Sequence, residues 1–417
     1  MNRRALAGLA VAAGICGILE GCPADEAPAP PPPAPVVEEL PAGFPEFTLP
    51  AHTATTPLLL PASPDVEKTL EVLKAVVLTH ANDPENPWAV AHGLLAMGPT
   101  FTVSTGQAAV DYLFTRYAQV AEIEGHELPY FPRSEGEIRI EPHTDLLMKN
   151  FTEIGVQPDH VVTVQGKSFE VGDAWRHSLL TTFLKKTDGS SSYDSPNDMP
   201  WGVQALAAWA PPGMRWRAFD GTEMRIDELA KLMVHVLTSE SSFMIAAMAS
   251  GQGFEKKGQG IFGYTCGGAH LLQGSIFVVA RGLGGEAERD KMRVQGQLLF
   301  YRFPRELEIY RKAMEENPTK RLILLAQQLK FVGHWLESTH KMLASGLYTA
   351  NPSDQLIAAQ AVGVLIDTTR ELKALGALDN LEQIRSQNEQ LYLDLVGDSS
   401  HAIRGLELAL GRQTFSY

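Results

Sequence analysis

Three stretches of this chain have the composition of helices that water does not reach. Pro87 to Leu95, Pro200 to Ala208 and Cys266 to Ala280 contain no Asp, Glu, Lys or Arg and are rich in Gly and Ala. A helix without a polar face is buried on most sides, and small residues let neighbouring helices approach closely. The stretches also echo one another. Asn82-Asp83-Pro84-Glu85-Asn86-Pro87-Trp88 returns in outline as Asn197-Asp198-Met199-Pro200-Trp201. Ala91-His92 returns as Ala269-His270, with Cys266 at the place of Trp88.

More polar, periodic helices run between them. Ser63-Pro64 is a helix start, and Val66, Leu70, Leu73 and Val77 then share one face. The pattern predicts further helices near 87–97, 105–119, 144–154, 173–185, 200–210, 227–238, 266–281, 286–302, 305–316, 320–345, 353–375, 380–396 and 400–410. The part from Glu286 is the most regular, with Pro304 expected to break or kink it. Two hairpins are expected, one turning at Gln165-Gly166 and one at Asp220-Gly221. Each leads into a helix capped by a carboxylate, Asp173 or Asp227. Gly136 to Ile140 reads as a degraded third copy.

Buried small-residue helices alternating with polar ones predict a mostly α fold of helical hairpins in a toroid-like or curved array, with short β-hairpin insertions. An irregular helical bundle is the alternative. The pattern resembles the α/α-toroid architecture of terpenoid cyclases, protein prenyltransferases, lanthionine cyclases and many carbohydrate-active enzymes. The resemblance implies that matching inner-helix positions converge on a central cavity. It does not extend to those enzymes' sites. The cyclases' DxDD acid and QxxxGxW repeats are absent, and no Asp stands two residues before Cys266 as in the prenyltransferases. The lanthionine cyclases hold zinc with two Cys and a His, and only one Cys is available here.

The N-terminus is built for export. Arg3 and Arg4 precede an apolar run, Ala5 to Leu19, that is too short for a stable membrane span. Leu19-Glu20-Gly21-Cys22 resembles the lipobox of bacterial lipoproteins, with Glu20 departing from the usual small or apolar residue. The resemblance implies cleavage before Cys22 and acylation of its thiol. A Pro/Ala-rich stretch over 22–62 then reads as a semi-rigid tether, followed by a helical domain over 63–417. Pro23 after the cysteine leans towards the outer membrane or periplasmic face. The membrane is therefore the first expected partner. Net charge is −14, so nucleic acid is an unfavourable partner.

Cysteine usage narrows the chemistry. Cys16 lies in the signal and Cys22 carries lipid, which leaves Cys266 alone in the mature chain and excludes an intrachain disulfide. Cys266 and His270 are four residues apart, so on a helix their Cβ atoms would lie ~6 Å apart. With His92 at the matching place of another repeat, zinc held by Cys266, His270 and His92 is one expectation. A buried Cys beside a hydrogen-bonded His is the plainer one. Trp88, Trp175 and Trp201 stand early in their helices, where they either stack on a glycan or staple the chain to the core. Asp83, Asp173 and Asp198 are the acid/base candidates for the first case. His334 and Glu337 read as a hydrogen-bonded structural pair, with His340 outside any HExxH pattern. Gly282 to Gly285 lacks the lysine of a phosphate loop, and no Gly-x-Ser-x-Gly elbow occurs. The expected function is a lipid-anchored envelope protein that binds a protein or small ligand. The alternative is an α/α-toroid enzyme acting on glycan or at zinc.

Overall fold

The computed structural model describes residues 60–185, 189–195, 198–255, 260–263, 266 and 268–417. The signal and the lipidation site Cys22 lie outside them. In chain order the helices are α1 (Pro64–His80), α2 (Pro87–Met97), α3 (Ala109–Tyr117), α4 (Leu146–Glu153), α5 (Val171–Thr181), α6 (Met199–Trp209), α7 (Ile226–Glu240) and α8 (Ser242–Ser250). They continue with α9 (Ala269–Ala280), α10 (Glu286–Glu316), α11 (Arg321–Ala344), α12 (Pro352–Ala374), α13 (Leu381–Gln387) and α14 (Glu389–Ala409).

The charge-poor stretches form the inner wall. In α2 the side chain of Asn86 accepts from the Ala89 amide at 3.0 Å, Pro87 opens the helix, and every residue from Ala89 to Ala96 is buried. All of α6 is buried, and α9 is buried from Leu271 to Val279. The helices α2, α4, α6, α9, α11 and α14 pack each on the next, and α14 returns to α2 to close the ring. Outside it, α1 covers α14 and α2, α3 covers α2, α5 covers α6, α7 covers α6 and α9, α10 covers α9 and α11, and α12 covers α11. Apart from the short α8 and α13, alternate helices are inner and outer, which is the arrangement of an α/α toroid.

Glycines set the closest crossings. A Cβ on Gly405 would lie 2.8 Å from Leu336 Cβ and 2.9 Å from the Glu337 amide nitrogen, and one on Gly333 would lie 3.0 Å from the Ala402 nitrogen. This draws α11 and α14 together backbone to backbone. A Cβ on Gly274 would lie 2.9 Å from Pro200, which does the same for α9 and α6. At the end of the ring where α2 and α9 finish, the segment Gln413–Phe415 seals the interior. Arg404 donates to the Gln413 side chain at 2.5 Å, Gln413 donates to the Ala96 carbonyl at 2.8 Å, and Phe415 is buried edge-on to Phe277.

Among the described residues, four two-stranded antiparallel pairs decorate the connections. Val161–Val164 pairs with Lys167–Glu170 around Gln165-Gly166, and both turn residues have positive φ, as a tight hairpin turn requires. Arg215–Arg217 pairs with Glu223–Arg225 around Asp220-Gly221, and Ser134–Glu135 with Ile138–Arg139. The first pair, Gln119–Ile123 with His126–Tyr130, has no counterpart in the sequence expectation, which runs a helix to 119.

Other boundaries also differ. The helix α10 runs through Pro304 without a break. Side-chain donors serve nearby carbonyls: Trp335 donates to Leu299 O at 2.9 Å and Arg305 to Tyr301 O at 2.8 Å. The expected break between 396 and 400 instead falls at Asn388, which caps α14 through its side chain and places residues 389–409 in one helix. Asp173 sits at the third position of α5 in a reciprocal cap with Glu170. Asp227 lies within α7, where it accepts from the Gly213 and Gly284 amides. Among the described residues no single helix is long and apolar enough to cross a membrane.

Candidate metal centre

The starts of α2, α6 and α9 meet the middles of α11 and α14 at the other end of the ring, and histidines gather there. His270 on α9, His334 on α11 and His401 on α14 each offer a ring nitrogen, and these nitrogens all lie within 4.8 Å of one another. The rings of His334 and His401 are 3.9 Å apart, a consequence of the close backbone crossing beside them. The His270 ring lies 4.9 Å from that of His334 and 5.7 Å from that of His401. A fourth imidazole, His92 on α2, lies 5.5 Å from His401.

Two of these rings have a fixed tautomer. Nδ1 of His401 donates to a Glu337 carboxylate oxygen at 2.7 Å, since a carboxylate can only accept. Nδ1 of His92 donates to the Trp88 carbonyl at 2.8 Å. In both rings Nδ1 is occupied by this bond, which leaves Nε2 as the nitrogen free to face the cluster. Nδ1 of His334 is buried with no hydrogen-bond partner among the described residues. Burial, then the neighbouring imidazoles, hold His270 and His334 well below the usual histidine pKa. Burial first and His401 second bring His92 down to about 3. These are neutral rings with free lone pairs, the form in which histidine binds metal.

A buried ionic layer lies beside the histidines, built from α4, α6, α9 and α11. Lys341 is 2.7 Å from Glu337 and 2.5 Å from Glu153, and Lys149 is 2.7 Å from Glu153. Gln273 donates to Glu337 at 3.1 Å and Gln204 to Glu153 at 3.0 Å. Burial opposes ionisation of both carboxylates, but Lys149, Lys341 and Arg404 outweigh it at Glu153, and Lys341 and His401 outweigh it at Glu337. Both carboxyls therefore lie below the ordinary range.

The opposite side of the histidines is lined by aromatic rings. Trp88 lies 3.9 Å from His92, and Trp201 lies between His270 at 4.5 Å and His143 at 3.8 Å. Trp88, His143 and His270 are only half-buried, so the cluster reaches solvent on this side.

Of the expected set His92, His270 and Cys266, only His270 belongs to the group of three nitrogens; His92 borders it through His401, and Cys266 does not join it. The helix α9 begins only at Ala269, after Gly268 at φ +74°, so Cys266 is off the helix and the four-residue spacing does not put it on the face of His270. Cys266 is half-buried. His334 and His401 take the places expected for Cys266 and His92. Glu337 bonds His401 and not His334.

The tryptophans divide. Trp88 and Trp201 face the cluster. Trp175 is wholly buried between α5 and α6, donating to Ala205 O at 3.1 Å, which places it in the core. Asp83 pairs with Arg385 at 3.2 Å, and Asp173 serves its helix cap. Asp198 accepts from the Thr144 amide at 2.9 Å and hydroxyl at 2.6 Å, and lies 3.3 Å from His143. Its own burial is outweighed by these bonds, so its pKa is lowered. The same Thr144 lines a cavity of about 260 Å³ with Arg133, Glu141, Asp145, His177 and Ser178. Burial raises Asp145 there to about 6, and its backbone is left-handed at φ +58°.

No protein-family model matches the chain, and no curated protein or solved structure matches it at a significant level.

Proposed function

We propose that this protein is a metalloprotein in which His270, His334 and His401 bind a divalent transition ion and present it to a small ligand. The convergence of their three ring nitrogens carries this reading. Imidazole ligands suit zinc, copper, nickel and iron, and zinc, which three histidines hold in some catalytic sites, is the first choice among them. Three protein ligands with one position left over is the pattern of a catalytic zinc site, whereas structural sites are closed by four. The Glu337–His401 bond supports it further. A metal-bound histidine ordinarily donates its other N–H to a carboxylate or carbonyl.

The ligand enters beside Trp88, His143 and Trp201. His92 stands next to the centre, its ring 5.5 Å from that of His401. The lipobox at Cys22 and the proline-rich tether support the same protein working from a cell-envelope membrane, as a lipoprotein whose helical part stands off the bilayer.

The test is metal analysis of protein purified without chelator. One zinc per chain that disappears in His401→Ala is the expected result, and no zinc in the wild type after zinc loading and dialysis overturns it. Mass spectrometry of the mature N-terminus checks the anchor, with diacylated Cys22 expected and an unmodified N-terminus contradicting it.

A further inference from the structure

The cavity of about 260 Å³ lies between the hairpin strand His126–Tyr130 and the helices α4 and α5, and the metal reading makes no use of it. Ligand pockets usually run from roughly 300 to 1,000 Å³, so this one holds a single small ring rather than a chain. Two carboxyl groups line it. Glu141 is 6% exposed, and its Oε1 accepts from the Leu147 amide at 2.8 Å. Asp145 stands at the capping position of α4, yet its side chain makes no cap bond and turns instead to the Ser178 hydroxyl at 2.6 Å. That bond engages Oδ1 and leaves Oδ2 with no hydrogen-bond partner among the described residues. The Tyr193 hydroxyl is buried and equally unpartnered among the described residues, and it sits beside Asp145. Both this hydroxyl and Asp145 Oδ2 lie 3.3 Å from where a Cβ on Gly202 would stand.

The rest of the lining is of two other kinds. Arg133 at the rim donates to the Glu141 carbonyl at 3.3 Å, and to the Thr144 hydroxyl and Asp194 at 2.9 Å each, which fixes the guanidinium with donors to spare. The rings of Tyr130 and His177 stack at 4.8 Å, within 14° of parallel, and form a flat wall. Burial brings His177 down to about 4, so that ring is neutral. A carboxylate only accepts hydrogen bonds, and a guanidinium only donates them. A ligand amine would serve the carboxyls and find nothing to give to Arg133. A ligand carboxylate would serve Arg133 and meet Glu141 and Asp145 unmatched. A hydroxyl both donates and accepts, so it alone suits every polar part of this lining. Polar groups on one side and rings on another then fit a molecule with hydroxyls along its edge and C–H groups on its face.

We infer that this cavity binds a small neutral polyol, one sugar ring or its cyclic equivalent, with its hydroxyls on Asp145, Glu141 and Arg133 and its face against Tyr130 and His177. The site is separate from the metal centre and stands without it. The unpartnered Asp145 Oδ2 and Tyr193 hydroxyl support it most sharply, because polar groups in a folded interior are ordinarily matched and an exception calls for an explanation.

The experiment is ligand-observed saturation-transfer NMR at pH 7, on protein stripped with chelator and on the same protein loaded with zinc. The probes are D-glucose, D-galactose, D-mannose and myo-inositol, with n-propylamine and propionate as the charged counterparts. At least one polyol is expected to bind with a millimolar Kd or tighter, equally in both forms of the protein, and both charged probes should bind at least roughly tenfold more weakly. Asp145→Asn keeps an oxygen for Ser178 but removes the charged acceptor. It should weaken that polyol by about tenfold or more while the protein stays folded. No polyol bound at tens of millimolar overturns the inference. A preference for propylamine or propionate overturns it too, as does polyol binding that Asp145→Asn leaves unchanged. Polyol binding that needs zinc would put the sugar at the histidines, which overturns this site and leaves the metal reading in place. Should Asp145→Asn fail to fold, the order of affinities in the wild type decides alone.

Discussion

Nδ1 of His401 lies 2.7 Å from a Glu337 carboxylate oxygen, with both side chains out of solvent. The bond fixes the ring so that Nε2 can meet His270 and His334. Glu337→Gln keeps the size of the side chain but removes its charge. Losing such an outer carboxylate ordinarily costs 10–100-fold in metal affinity. Chelator competition on the zinc-loaded variant should show a loss of about that size, and unchanged affinity would argue that Glu337 serves only its lysine.

Gly405 sits where α14 touches α11. Alanine is the better helix former by about 1 kcal/mol, yet here its methyl would meet Leu336 and the Glu337 backbone at under 3 Å. Overpacking of this kind costs about 1–3 kcal/mol. Gly405→Ala should therefore lower the urea midpoint of the metal-free protein. It should also weaken metal binding, because Glu337 and His401 would be pushed apart. A neutral or stabilising result would mean that the two helices separate without strain.

Asp145 offers a pH test away from the histidines. Its folded pKa is raised from the ordinary 3.8 to about 6 by burial. The unfolded chain thus gives up this proton first as pH rises, and stability is lost between about pH 4 and pH 6. Asn keeps an oxygen for the Ser178 hydroxyl, which lies 2.6 Å from Asp145, and tolerates the left-handed backbone. Asp145→Asn should be more stable than wild type at pH 7 by about 1–3 kcal/mol, and equal to it near pH 4. Denaturant melts at the two pH values check this, and the same difference at both would refute it.

The histidines predict the opposite slope. His92, His270 and His334 have folded pKa values below the ordinary 6.5. Below about pH 6.5 the unfolded chain binds protons that the folded chain refuses, so the metal-free protein should lose stability on acidification. Each histidine contributes up to about 1.4 kcal/mol per pH unit. Thermal melts at pH 7.5 and 5.5 should differ accordingly, and bound metal should also leave at the lower pH. A metal-free protein as stable at pH 5.5 as at pH 7.5 would mean that these rings titrate in the fold.

The ring was legible because burial leaves a mark on composition. Charge-free helices such as Pro87–Met97 have nowhere to go but inside, and their Pro-Trp and Ala-His echoes located the residues that meet at its mouth. That is how His92, His270, Trp88 and Trp201 were found. His334 reads as a structural partner of Glu337 and His401 is not singled out, for a different reason. They lie in the middles of long helices, and each is surrounded by polar residues that look solvated in sequence but are paired across the ring, as Glu337 and Lys341 are. Their meeting depends on contacts between α11 and α14 that a single sequence does not express. Cys266 was misplaced by a local event. Gly268 in a left-handed conformation delays the helix by three residues, and spacing arguments fail when the helix has not yet begun. Trp175 resembled the other two tryptophans in position, but α5 is an outer helix, so its indole turns into the core.

Metal content of the wild type beside three variants tests the central assignment most directly. Wild type and Cys266→Ala should each hold close to one zinc per chain, while His334→Ala and His401→Ala should hold none and remain folded by circular dichroism. Zinc that survives in both histidine variants, or that depends on Cys266, would contradict a centre built from His270, His334 and His401.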